Sequence, residues 1–155
     1  MKGGQANSLI AEVKMSGKLL ALAVPLTYMN DSGLAVRALV RRFGIDDLTQ
    51  LLIVQDELDL PLGKLQVKLG GGLAGHNGLR SIREHLHSTD FARIRIGIGK
   101  PPGGKERGAD HVLRRPGKRE KSELEVVVEE AADAVECIFT DGIEAAMTRY
   151  NRRSD

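Results

Sequence analysis

The sequence predicts an α/β fold: a single-domain layered sandwich in which a mixed, mostly parallel twisted sheet is flanked by helices. Three observations predict it. Short apolar and alternating runs of strand length are interleaved with longer stretches of helical periodicity. A glycine-rich loop, Gly70-Gly71-Gly72-Leu73-Ala74-Gly75, joins a strand pattern to a helix pattern. No repeat or long linker divides the 155 residues, which suit one domain over residues 1–155 with enough length for a core.

Taken in order, Ser8–Val13 and Lys18–Val24 read as two strands around a tight turn at Ser16-Gly17, and Pro25 ends the second. Asp31 or Ser32 then caps a helix running to Phe43, with Gly44 as its stop and Leu34, Ala38, Leu39 and Phe43 as its apolar stripe. Leu51–Val54 is an unbroken apolar run, the pattern of a strand buried on both faces. After the loop Gln55–Gly63, Lys64–Leu69 alternates as a half-exposed strand does. Leu79–Leu86 is helical, and Arg93–Ile98 is a strictly alternating strand. Lys100–Gly108 is a polar loop rich in Pro and Gly. A long helix over about Arg119–Thr140 has Leu124, Val128, Ala131, Val135 and Ile138 on one face; Asp141-Gly142 ends it, and a last helix runs through Tyr150.

Composition narrows the classes of function. Aromatic residues make up only 3% and Trp is absent, which argues against a base-stacking platform. The one cysteine cannot form an internal disulfide or a cysteine zinc site. No apolar run of membrane-spanning length and no signal segment is present, so a soluble cytoplasmic protein without a membrane partner is expected. The net charge of +2 conceals an asymmetry. Residues 93–121 hold ten Lys or Arg against three acids, a local +7; residues 122–155 hold nine acids against three Arg, a local −6. Such separation predicts a basic face for a polyanion, built from Lys68, Arg95, Lys105, Arg107, Arg114, Arg115 and Lys118. Two solvated faces without a partner are the plainer reading of the same charges.

The glycine loop is the most informative segment. Five glycines in nine residues let backbone amides approach a ligand closely, and His76 and Asn77 follow at a helix entrance. Asn30 follows one strand, Asp56 another and His76-Asn77 a third, so parallel strands would gather all four in one crevice at the carboxyl ends of the sheet. Asp56 suits an orienting or basic role toward a histidine, or caps loop amides. His76 suits a base, a hydrogen-bond donor or a brace for the loop, and Asn30 and Asn77 suit placing water, a carbonyl or a ribose hydroxyl. Asn77 equally suits a helix cap. His85, His87 and His111 read as surface residues, and Cys137 as a packing thiol. The acids Asp56, Glu57 and Asp59 lack a further ligand at suitable spacing, so no metal site is expected. No dinucleotide fingerprint and no serine elbow is present.

Four segments, Pro25-Leu26-Thr27-Tyr28-Met29-Asn30-Asp31-Ser32-Gly33, Asp56-Glu57-Leu58-Asp59-Leu60-Pro61, Gly70–Leu79 and Arg93-Ile94-Arg95-Ile96-Gly97-Ile98-Gly99, stand in an order and spacing that resembles the bacterial peptidyl-tRNA hydrolases over nearly the whole chain. The resemblance implies an ester hydrolase that recycles tRNA from stalled translation, monomeric and without metal or organic cofactor. It implies that Asn30 and Asn77 bind the substrate end and help place water, that Tyr28 and Met29 line the pocket, and that Asp56 orients a catalytic histidine. Lys68 and Arg95 would contact tRNA phosphate, His76 would position substrate, and Ala109–Arg115 would belong to a lid. Family members open with a further strand, an Asn and the water-activating His, whereas this sequence starts at Met1-Lys2-Gly3-Gly4-Gln5. The expectation is therefore a chain lacking that N-terminal segment, which binds substrate but cleaves it poorly. A non-catalytic RNA-binding protein on the same scaffold is the alternative.

Overall fold

The computed structural model describes residues 2–4, 8–15, 17–72, 76–99 and 118–151. The loop Lys100–Gly108, the segment Ala109–Arg115, Lys105, Arg107, Arg114, Arg115, His111 and the side chains of Asn30 and Lys118 lie outside what is described. The chain divides into two compact units, residues 1–51 with 70–91 and residues 52–69 with 92–155.

The first unit opens with an antiparallel sheet in the order β1-β2-β3, where β1 is Lys2–Gly4, β2 is Ser8–Met15 and β3 is Lys18–Pro25. Gly17, at φ +77°, makes the turn between β2 and β3. The hairpin leaves Val13, Leu19, Leu22 and Val24 exposed. A 3₁₀ turn, Met29–Asp31, leads into helix α1, Ser32–Arg42, which crosses helix α2, Asn77–Leu86. The crossing is close because it is made by small residues. A Cβ on Gly33 would overlap the Ser81 carbonyl oxygen and His85 Nδ1. This rotates the expected stripe of α1: Gly33, Ala35 and Val36 are buried while Leu34 is exposed. Neither expected cap acts as one. Asp31 makes no side-chain cap bond, and Ser32 donates its hydroxyl to the Met29 carbonyl. The Gly33 N–H, an orphan donor of the first turn, is instead satisfied at 2.9 Å by Ser81 Oγ from the other helix.

The second unit is a sheet in the order β4-β6-β5, with β4 Leu52–Glu57, β5 Leu65–Leu69 and β6 Ala92–Gly97. β4 and β6 are parallel and β5 runs against β6, so the sheet is mixed; among the described residues β4–β6 is the one parallel pairing. Helices α3, Lys118–Asp141, and α4, Ile143–Asn151, cover one face. There Leu65, Val67 and Ile94 pack with Val127, Ala131, Ala134, Cys137 and Ala146. Burying such aliphatic side chains contributes roughly 1.5–3 kcal/mol each. Two expectations are corrected here. Val128 is 55% exposed and Val127 faces the core in its place, while Leu124, Ala131, Val135 and Ile138 of the expected stripe do pack there. Val54 is 49% exposed, so β4 is not buried on both faces: α3 and α4 pack on β5 and β6, and β4 lies at the edge. At the other edge Asn151 pairs with the backbone of Val67, its Oδ1 accepting the N–H at 2.7 Å and its Nδ2 donating to the carbonyl at 2.8 Å. A side-chain amide thus closes part of the β5 edge.

Candidate active site

The expected site residues fall in both units. Asn30, His76 and Asn77 belong to the first, and Asp56, Lys68 and Arg95 to the second, so each half-site is described by itself.

In the first unit the turn Met29–Asp31 packs against α2. Gly78 permits this approach, since a Cβ there would meet Met29 Sδ. The backbone of Asn30 therefore lies in a turn held beside the helix that begins at Asn77. Gly70 and Gly71, at φ +66° and +92°, take a path that L-residues with side chains rarely adopt on the way to that helix. His76, rather than Asn77, is the N-cap: its Nδ1 accepts the Leu79 N–H at 3.2 Å. Asn77 occupies the first helical position and is exposed, which leaves its amide to solvent and solutes. Tyr28, 86% exposed, projects outward, and Met29 is also exposed.

The cap bears on chemistry. An amide can only donate, so Nδ1 of His76 carries a lone pair committed to Leu79, and the neutral ring holds its proton on Nε2. That form donates a hydrogen bond from Nε2. His85 is half-buried instead of on the surface, and its Nδ1 donates to the Ser81 carbonyl at 2.8 Å. His87 is exposed at the left-handed C-cap of α2.

In the second unit the Asp56–Pro61 segment turns back over the end of β6. Gly97 makes room for it, because a Cβ there would overlap the Pro61 carbonyl oxygen. Three backbone bonds close the turn, from Gly97 N–H to Lys64 O at 2.8 Å, Ile98 N–H to Glu57 O at 3.1 Å and Gly99 N–H to Leu60 O at 2.9 Å. Strand alternation separates the two adjacent acids. Asp56 shares the face of Ile96 and Leu65, half-buried at the end of the helix-covered side; Glu57 lies on the opposite, polar face with Gln55, Arg93, Arg95, Gln66 and Lys68. Sequence reasoning weighed Glu57 only as one of three acids for a metal; the strand register is what reveals its place on the polar face.

Glu57 is buried, and its Oε1 accepts from Arg95 Nη2 at 2.7 Å and Nε at 3.1 Å. Arg95 Nη1 donates to Gln66 Oε1 on the third strand. Removing one partner of such a buried pair typically costs about 3–5 kcal/mol. Arg93 is 1% exposed. Burial pushes its guanidinium below the usual arginine value, Arg95 adds to the effect, and Glu57 opposes it. This face thus sets two guanidinium groups beside the buried Glu57 carboxylate. Among the described residues no cluster of three His, Cys, Asp or Glu could hold a metal ion.

Known proteins place this architecture. The peptidyl-tRNA hydrolase family matches residues 1–155. The chain is 44% identical to the peptidyl-tRNA hydrolase of Frankia alni over 97% of its own length and 76% of that protein's. It is 48% identical to that of Rhodococcus erythropolis, over 92% of this chain and 74% of the relative. The crystal structure of peptidyl-tRNA hydrolase from Acinetobacter baumannii superposes with a TM-score of 0.86 at 35% identity, covering 95% of this chain and 74% of that one. With its four motifs set on these elements, the chain belongs to the peptidyl-tRNA hydrolase family.

Proposed function

We propose that this chain acts in the hydrolysis of the ester bond joining peptide to tRNA, as a cytoplasmic monomer that recycles tRNA from stalled translation. Family membership supports the reaction, and among the described residues no helix is long and apolar enough to cross a membrane. The observation that carries the reading is the exposed Asn77 at the first position of a capped helix, beside the turn that holds Asn30. Backbone N–H groups at such a helix start favour a developing oxyanion or a phosphate. Asn30 and Asn77 bind the 3′ end of the substrate and place water, Met29 and Tyr28 bound the pocket, His76 holds Asn77 through its cap, and Asp56 orients the imidazole that activates water. Lys68 and Arg95 meet the tRNA backbone.

Single-turnover cleavage of peptidyl-tRNA is expected to be about 100-fold slower in an Asn77→Ala form than in the wild-type form. Equal, fast cleavage by both forms would refute the assignment. Tight tRNA binding with no cleavage by either form would point to a non-catalytic RNA-binding protein.

A further inference from the structure

We propose that the outer faces of α1 and α2 form a further phosphate-binding surface, carried by Arg37, Arg41, Arg80 and Arg83, along which the tRNA backbone runs as it leaves the site at Asn77. The inference rests on the tRNA reading above and extends it to arginines outside the basic face that the sequence charge predicts.

The surface is built from charge that the helices themselves do not use. Together α1 and α2 carry five arginines against one acid, Glu84. Arg41, Arg80 and Arg83 are exposed and Arg37 is half-buried, and none of the four takes part in an ion pair among the described residues. Arg42 differs, because its guanidinium lies over the Phe43 ring, 5.4 Å from the centroid. Helix stability does not account for the pattern. Arg80 is the fourth residue of α2, near the positive end of the helix dipole, where a cation is unfavourable, and no acid stands in that first turn. Arg37 with Arg41, and Arg80 with Arg83, are like charges at spacings of four and three, which weakens a helix. Glu84 follows Arg80 by four, the weaker order for a pair. An anion laid across these groups relieves the repulsion.

Placement and chemistry select a nucleic-acid backbone as that anion. Asn77 and Arg80 are three apart and so are neighbours on one helix face. At about 1.5 Å per residue, Arg80 and Arg83 stand about 4.5 and 9 Å along the axis from Asn77. α1 crosses α2 where Gly33 meets Ser81, and Arg37 and Arg41 continue the Gly33 stripe at four-residue intervals. The crossing sets both arginine pairs on one layer of helices. Each guanidinium offers a planar fork that matches phosphate oxygens. A lipid surface would call for apolar side chains beside the cations, and α2 exposes no large one.

The test is the salt dependence of affinity for deacylated tRNA. Each arginine that meets a phosphate adds about 0.9 to the slope of log affinity against log salt. Arg37→Gln with Arg41→Gln should lower the slope by about two, and so should Arg80→Gln with Arg83→Gln. Lys14→Gln with Lys18→Gln, an equal loss of charge on the exposed hairpin, should leave it unchanged. An unchanged slope in both arginine variants overturns the proposal, as does an equal fall in the lysine variant, which would reduce the effect to net charge. Arginine variants that keep the tRNA slope but lose binding to phosphatidylserine vesicles would assign the face to a lipid surface and overturn it too. A wild-type chain that fails to bind tRNA overturns the functional reading, and this inference with it. The wild-type protein supplies a check that needs no variant to fold: the Nε–H resonances of Arg80 and Arg83 should shift on saturation with tRNA, and resonances that stay in place would count against contact.

Discussion

The two units hold their candidate residues by different physical means. In the first, Asn30 and Asn77 are located by helix ends meeting at small residues: Gly33 against Ser81, Gly78 against Met29, and His76 capping α2. In the second, Asp56 and Glu57 stand at the end of a strand whose neighbours are seated on an aliphatic core, with an ion pair bridging the polar face. Contact between small residues depends on tight tolerances. A sheet on an aliphatic core depends on the area it buries. The first unit should accordingly be sensitive to added atoms and the second to removed ones.

The largest effect is expected in the second unit. Ile94, fully buried in the middle strand, should cost about 2–5 kcal/mol when replaced by Ala, measured by denaturant unfolding. Leu19→Ser on the exposed hairpin should change stability by no more than about 0.5 kcal/mol. Equal losses from the two changes would abolish the contrast. Next comes an added methyl group in the first unit. Gly33→Ala forces a Cβ into backbone at the helix crossing and should cost about 1–3 kcal/mol. Amide exchange should show the loss in α1 and α2, and protection unchanged in those helices would mean that the crossing is looser than its geometry.

The smallest effect is a pH dependence in the second unit. Burial, then the charge of Asp133, raises the Tyr150 phenol above its ordinary 10.0, with Arg149 opposing. A folded value above the unfolded one means that the contribution to stability is complete below pH 10.0 and is lost as pH climbs through the folded value. Thermal unfolding of Tyr150→Phe against wild type should therefore agree near neutral pH and diverge only in alkali, with the wild type falling faster. Parallel curves across the alkaline range would remove Tyr150 from the account.

Most of the elements were legible because they depend on local pattern. The hairpin at Gly17, the alternating β5 and the paired terminal helices lie where apolar spacing and turn residues place them. The inward faces were less legible. Periodicity alone put Val128 and Leu34 inside, whereas the packing chose Val127 and the small face of Gly33, Ala35 and Val36. Hydrophobicity scores reward large side chains, but a close helix crossing selects small ones.

The candidate site divides in the same way. The sequence by itself determined the family, since residue types at set spacings in four motifs are readable without coordinates, and with the family came Tyr28, Met29, Asn30, Asp56, Lys68, Asn77 and Arg95 as candidates. Only the tertiary structure decided what their neighbours do. That His76 spends its Nδ1 lone pair on Leu79 depends on where the helix begins within ±1 residue, below the resolution of any propensity. That Glu57 faces Arg95 while Asp56 faces the opposite side depends on strand register between segments 38 residues apart, and a slip of one residue would reverse the two faces. Local sequence specifies what each residue can donate or accept; long-range pairing specifies to whom.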